Sequence, residues 1–222
     1  VQTCALPICV AAGMAALSAG EWMSLRDQKI FARGVTGLGL GMLYLSFYAS
    51  YGFYDLLSLT AAFLLMTATT VAAGALAYHY NSSAVAVLGL IGGFLTPAVL
   101  SSGEDRIGTI TAYTLLLSLG ALLLGKIRQW PVLGYLSLFG TQLLYSGWAS
   151  SWLADGTRPK AFLWLTLTFA LFLAFARDLG LALLPLNAAA YFAASYFALN
   201  DQYHDYMGLF SAALAVVHAA YA

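Results

Sequence analysis

Residues 108–125 read GTITAYTLLLSLGALLLG, a run without a single charge, bracketed by Glu104, Asp105 and Arg106 before it and Lys126 and Arg128 after it. A hydrocarbon core of about 30 Å takes about 20 helical residues at ~1.5 Å each, so the run has the length that crossing a bilayer requires. The alternation of charge patch and uncharged run repeats outward in both directions, over about 34–54, 56–78, 83–101, 130–151, 161–176, 179–199 and 206–222. Strands of a membrane barrel would alternate polar and apolar residues over about ten positions, whereas these runs are apolar on all sides and about twice as long. A helix also satisfies its own backbone, which lipid cannot do for it. The expected fold is all-α: a polytopic transmembrane helical bundle with about eight complete spans plus one truncated N-terminal helix, Cys9 to Gly20.

Composition agrees. Only 8% of residues are charged and 62% are hydrophobic, against roughly 25% charged in a soluble domain, so the apolar excess has to face lipid. Nine basic residues balance nine acidic ones and no basic run exceeds two residues, which leaves no electrostatic footprint for nucleic acid. The expected partners are the lipid bilayer and the missing helices of a longer parent chain.

The only cysteines, Cys4 and Cys9, lie at the start of the chain. Residues 1–8, VQTCALPI, match the translation of a common sequencing-library adapter, so they are read as an assembly artefact and Cys4 as no part of the protein's chemistry. No basic n-region precedes Cys9–Gly20, which excludes a signal peptide. The other end stops inside an apolar run. The expected organisation is therefore an artefact over 1–8 followed by a single transmembrane helical region over 9–222, itself a fragment.

Loops assigned alternately to two sides sort the charges. One side collects Arg26, Lys29, Arg33, Lys126, Arg128 and Arg177 with Glu21, Asp27 and Asp178; the other collects Arg106, Arg158 and Lys160 with Asp55, Glu104, Asp105, Asp155, Asp201 and Asp205. The basic-rich side is expected to be the cytoplasmic one by the positive-inside rule, with the chain multi-pass in an inner (cytoplasmic) membrane. The tryptophans are expected to anchor at the interfaces, Trp22 and Trp130 inside, Trp148, Trp152 and Trp164 outside.

Three patterns are candidates for more than spanning. Gly34, Gly37, Gly41, Tyr44, Tyr48 and Tyr51 follow 3-4-3-4-3 spacing and share one helical seam. The glycines would admit a neighbouring backbone, and the tyrosines either bond to adjacent helices or line an outward cleft. In LGLIGGFLTPAVL (88–100), Gly92 and Gly93 precede Thr96 and Pro97; Pro97 has no amide hydrogen and should kink or break the helix, with Thr96 bonding back to the Gly92 carbonyl. After Pro185, read as a second packing or kink position, Asn187, Tyr191 and Ser195 recur every four residues as a polar stripe. Tyr44, Tyr48, Tyr51, Thr96, Asn187 and Tyr191 are the candidate cleft lining.

GVTGLGLGMLYLSFYASYGFYDLL (34–57), the tract at His79 to Asn81 and LGLIGGFLTPAVLSSGE (88–104) together resemble the bacterial family of predicted membrane proteins catalogued as domain of unknown function 2339, with LLPLNAAAYF (183–192) as a weaker anchor. The resemblance implies a longer parent chain with more helices and implies no activity.

No Asp, Glu, Lys or Arg is expected inside the hydrocarbon core, which argues against an ion-coupled pump. HExxH, GxSxG and P-loop motifs are absent from the sequence. Asp201, His204 and Asp205 in DQYHDY are too clustered in one loop to make a credible metal site, and His79 reads as a turn residue. No catalytic, cofactor-binding or metal-binding residue is assigned. The favoured reading is a non-catalytic helical portion contributing an outward cleft for a lipid-like or uncharged substrate. The rivals are an enzyme acting on lipid-linked substrates through Asp55, Glu104, Asp105 and Asp201, and an envelope-assembly scaffold. A reporter fused after Arg128 should give a cytoplasmic signal; a periplasmic signal inverts the orientation.

Overall fold

The computed structural model describes residues 2–26, 28–100, 107–154, 156–180, 182–203, 205 and 207–221. They form α1 (Gln2–Leu25), α2 (Lys29–Gly52), α3 (Leu59–Tyr80), α4 (Ser83–Val99), α5 (Ile107–Arg128), α6 (Pro131–Trp152), α7 (Arg158–Leu179), α8 (Leu183–Tyr203) and α9 (Met207–Tyr221), with no strand among the described residues. The chain divides into two compact units, Val1–Glu104 holding α1–α4 and Asp105–Ala222 holding α5–α9.

Among the described residues, five helices are long and apolar enough to cross a membrane: Pro7–Leu25, Lys29–Gly52, Leu59–Tyr80, Ile107–Arg128 and Arg158–Leu179. Ser83–Val99, Leu183–Leu199 and Gly208–Val217 are apolar but shorter, so fewer helices meet both criteria than the eight complete spans expected. The first helix departs in the other direction. It was expected to stop at Gly20, before Glu21, but continues to Leu25. The Tyr80 hydroxyl donates to the Glu21 carboxylate and His79 Nε2 lies 3.6 Å from it, so the helix accommodates that charge.

Local chemistry sets the boundaries. The Ser58 hydroxyl caps α3 by accepting from the Ala61 amide at 3.3 Å, and Asn81 ends it in the left-handed conformation at φ 48°. Pro131 opens α6, where a missing amide hydrogen costs no intrahelical bond. Gly180, at φ 127°, ends α7. α8 consequently starts at Leu183, and Pro185 falls in its first turn. The expectation of a packing or kink position at Pro185 is corrected to helix initiation, because a first-turn amide has no carbonyl partner to lose.

Within each unit a set of hydroxyls lies in the interior beside buried leucines such as Leu40 and Leu122, and another set of apolar side chains faces outward. Ser46, Ser50, Thr69, Thr114 and Thr168 are buried, and each returns its hydroxyl to the carbonyl four residues earlier, at 2.7–3.0 Å. Ser118 of α5 meets Thr141 of α6 at 3.1 Å. Leu38, Leu64, Val71, Leu116, Phe139 and Leu163 are exposed, as lipid-facing side chains should be. Among the described residues, the buried polar side chains are serines, threonines, Asn187 and the tyrosines Tyr145 and Tyr191, with no Asp, Glu, Lys, Arg or His residue buried.

Close helix approach runs through glycines other than two of those expected. A Cβ on Gly39 would lie 2.9 Å from the Gly13 carbonyl oxygen of α1, and one on Gly89 would run into the Ala73 methyl of α3. A Cβ on Gly37 would meet Leu88 at 2.9 Å, whereas positions 34 and 41 have nothing within 4 Å. Gly34 and Gly41 share the seam in projection but face outward in this unit. Gly89→Ala should therefore cost about 1–3 kcal/mol through overpacking and lower the melting temperature in detergent. Gly41→Ala should leave melting unchanged or raise it by up to about 1 kcal/mol of helix propensity.

Candidate functional site

In the first unit the tyrosines of α2 project over α3 and α4. The Tyr44 ring packs against Gly92, where a Cβ would collide with it, and its hydroxyl meets Thr70 Oγ1 at 2.8 Å and donates to the Gly89 carbonyl at 3.2 Å. Thr70 in turn donates to the Met66 carbonyl at 3.1 Å, so Tyr44 is locked across three helices. One and two turns on, Tyr48 and Tyr51 are half-buried against a core of Ala62, Met66 and Leu100, beside Phe47, Leu57 and Phe63. Tyr48 also takes Phe53 edge-on, with ring centroids 5.8 Å apart. Tyr44, Tyr48 and Tyr51 are all part-buried, and Phe53 and Tyr54 just beyond them are exposed.

The α4 residues are packed rather than open. Thr96 is fully buried and donates to the Gly92 carbonyl at 2.8 Å. Gly93 is buried as well. The expected break at Pro97 does not occur: α4 runs through it to Val99, and the Leu100 amide still bonds the Thr96 carbonyl at 3.1 Å. Proline sits in the last turn, where little helix remains to be broken.

The polar stripe of α8 lies in the second unit and faces α7. Asn187 Nδ2 donates to the Phe169 carbonyl at 3.0 Å, and the Tyr191 hydroxyl meets Thr166 at 3.1 Å while its ring stacks on Phe169 at 4.6 Å. Ser195 is buried on the same face. Asn187 and Tyr191 are thus engaged within their own unit, and the candidate lining is divided between two units.

Comparison with known families places this architecture. The model of the family described as predicted membrane protein, DUF2339, matches residues 3–222. The chain belongs to that family. No curated protein and no solved structure matches the chain. The family description gives a membrane protein of unknown function, in keeping with a DUF2339 chain whose described interior carries hydroxyls and aromatic rings but no buried Asp, Glu, Lys, Arg or His residue.

Two features of this DUF2339 chain depart from the sequence reading. Trp148 and Trp164, expected as interfacial anchors, are 5% and 1% exposed; they pack with Tyr145 at centroid distances of 5.4–6.4 Å to form the core of the second unit. Trp22 is 55% exposed. The second feature is a polar junction at one end of the first unit. Glu21 of α1 accepts from Tyr80 of α3 beside His79, and Arg33 of α2 donates to the Tyr80 carbonyl at 3.4 Å. No periodicity links residues so far apart in the chain, so sequence alone leaves His79 as a turn residue.

Among the described residues no group of three His, Cys, Asp or Glu side chains could hold a metal. Glu104, Asp105 and His204 lie outside the described residues, as do the side chains of Asp201 and His218.

Tyr44 provides the test of this geometry. Tyr44→Phe keeps the ring over Gly92 and removes both hydroxyl contacts, so it should cost about 1 kcal/mol. Tyr44→Ala also empties the wedge and should cost about 3–5 kcal/mol. Melting in detergent should rank wild type, Phe, Ala in that order.

Proposed function

We propose that this chain is a non-catalytic, membrane-embedded portion of a bacterial inner-membrane protein, whose α2 supplies one wall of an outward-facing cleft for a lipid-like or uncharged substrate. The observation that carries the reading is the difference in hydroxyl anchoring along α2. Tyr44 is fixed by Thr70 and Gly89, whereas Tyr48 and Tyr51, part-buried like Tyr44, lie beside Phe47, Leu57 and Phe63. A phenol with its ring against apolar neighbours and its hydroxyl free to turn suits a ligand that is apolar along its body and polar at one point.

The lack of buried Asp, Glu, Lys, Arg and His residues among the described residues supports an uncharged substrate over a coupled ion, since ion and proton pathways in membranes are lined by such groups. The basic enrichment around Arg26, Lys29, Arg33, Lys126, Arg128 and Arg177 supports placing that side in the cytoplasm. The tyrosine end then faces outward.

In cells carrying the full-length gene, alanine at both Tyr48 and Tyr51 should reduce uptake or export of the transported lipid-like species severalfold while the protein level holds. Unchanged flux at an unchanged protein level removes the cleft, and Tyr44→Phe, which perturbs only the anchored end, should leave flux near the wild-type value.

A further inference from the structure

Most polar groups inside the second unit have a partner. Thr114 and Thr168 return their hydroxyls to their own helices, Ser118 meets Thr141, Asn187 donates to the Phe169 carbonyl and Tyr191 meets Thr166. Two neighbouring rings are a different case. The Tyr145 hydroxyl of α6 and the Trp164 indole N–H of α7 are buried without a hydrogen-bond partner, and their rings meet edge to face with centroids 5.4 Å apart. A buried serine without a partner, such as Ser137, can turn its hydroxyl to the carbonyl four residues earlier, as Thr114 does. A phenol and an indole cannot, because each carries its polar atom on a rigid ring out of reach of its own backbone.

The surroundings fix the class of molecule that would complete this pair. Trp148 packs on both rings at centroid distances of 6.4 and 6.1 Å, and Ala161 and Leu165 belong to the same buried cluster. Among the described residues no Asp, Glu, Lys, Arg or His is buried, so nothing there would balance a charge on a bound molecule. Tyr145 lies seven residues before the end of α6 at Trp152, and Trp164 six residues after the start of α7 at Arg158. Both are thus about 10 Å along their helices from those ends. An indole N–H can only donate, whereas a phenol donates or accepts. Apolar walls with two such groups suit an uncharged molecule that presents an oxygen.

We propose that Tyr145 and Trp164 form a buried binding site within the second unit for the oxygen of an uncharged molecule, either water or the hydroxyl of a neutral lipid. Both sources offer the same chemistry, an oxygen that accepts from the indole N–H and bonds the phenol. The tyrosine wall of α2 belongs to the other unit, and the site does not depend on what that wall carries.

The test uses the full-length protein in neutral detergent and the variant Tyr145→Phe, which keeps the ring and removes only the hydroxyl. Deleting a buried hydroxyl that has no partner should raise the melting temperature, whereas deleting one bonded to a bound oxygen should lower it. The site requires a fall of about 2 °C or more. The Trp164 indole, isolated as the ultraviolet resonance Raman difference between wild type and Trp164→Phe, should show a hydrogen-bonded N–H. An unchanged or raised melting temperature in Tyr145→Phe, or a free indole N–H, overturns the site. If Trp164→Phe does not fold, the sign of the Tyr145→Phe shift decides alone. Dioleoylglycerol, which bears a hydroxyl, and squalene, which has no oxygen, separate the two sources. Stabilisation of wild type but not of Tyr145→Phe by dioleoylglycerol, with no effect of squalene, assigns the oxygen to a neutral lipid. A fall in Tyr145→Phe with no response to either probe assigns it to water.

Discussion

Every backbone amide and carbonyl in this chain has to be satisfied without water over most of its length. That constraint leaves the helix as the practical element for spans such as Ile107–Arg128 and Leu59–Tyr80, and it also governs what happens between them. Side-chain polarity inside the units is confined to groups that a helix can absorb. The hydroxyls of Ser46, Ser50, Thr69 and Thr114 return to their own helices, and only a few, such as Ser118 with Thr141 and Tyr44 with Thr70, tie two helices together.

Such an interior has little hydrophobic drive to hold helices together, because lipid is as apolar as leucine. Shape complementarity therefore carries much of the packing. Gly39 against Gly13, Gly89 against Ala73 and Gly92 under Tyr44 bring backbones and rings to distances that a methyl group would prevent. In the second unit the same role falls to large flat residues, with Trp148, Trp164 and Tyr145 filling one space and Phe169 and Tyr191 another. Both solutions give rigid contact without charge.

Among the described residues, the charged contacts lie at the ends of the helices. Glu21, His79, Tyr80 and Arg33 join three helix ends of the first unit, and Lys126 with Asp178 joins α5 to α7 in the second.

The spacing of charged patches by itself determined that the chain is helical and embedded in a membrane, because hydrocarbon thickness and helical rise together set a length that can be read along a sequence. The resemblance over residues 34–57 and 88–104 likewise pointed to the family. Tertiary structure decided which members of a periodic pattern touch anything. Gly34 and Gly41 share their spacing with Gly37 but meet no neighbour, and Trp164 sits near a helix end like an interfacial anchor yet lies in the core. Helical periodicity names a face, whereas the identity of the neighbour on that face depends on how helices distant in sequence are placed. The pairing of Glu21 with Tyr80 is of that kind: one carboxylate and one phenol whose meeting is set by the crossing of α1, α2 and α3, and by nothing local to either residue.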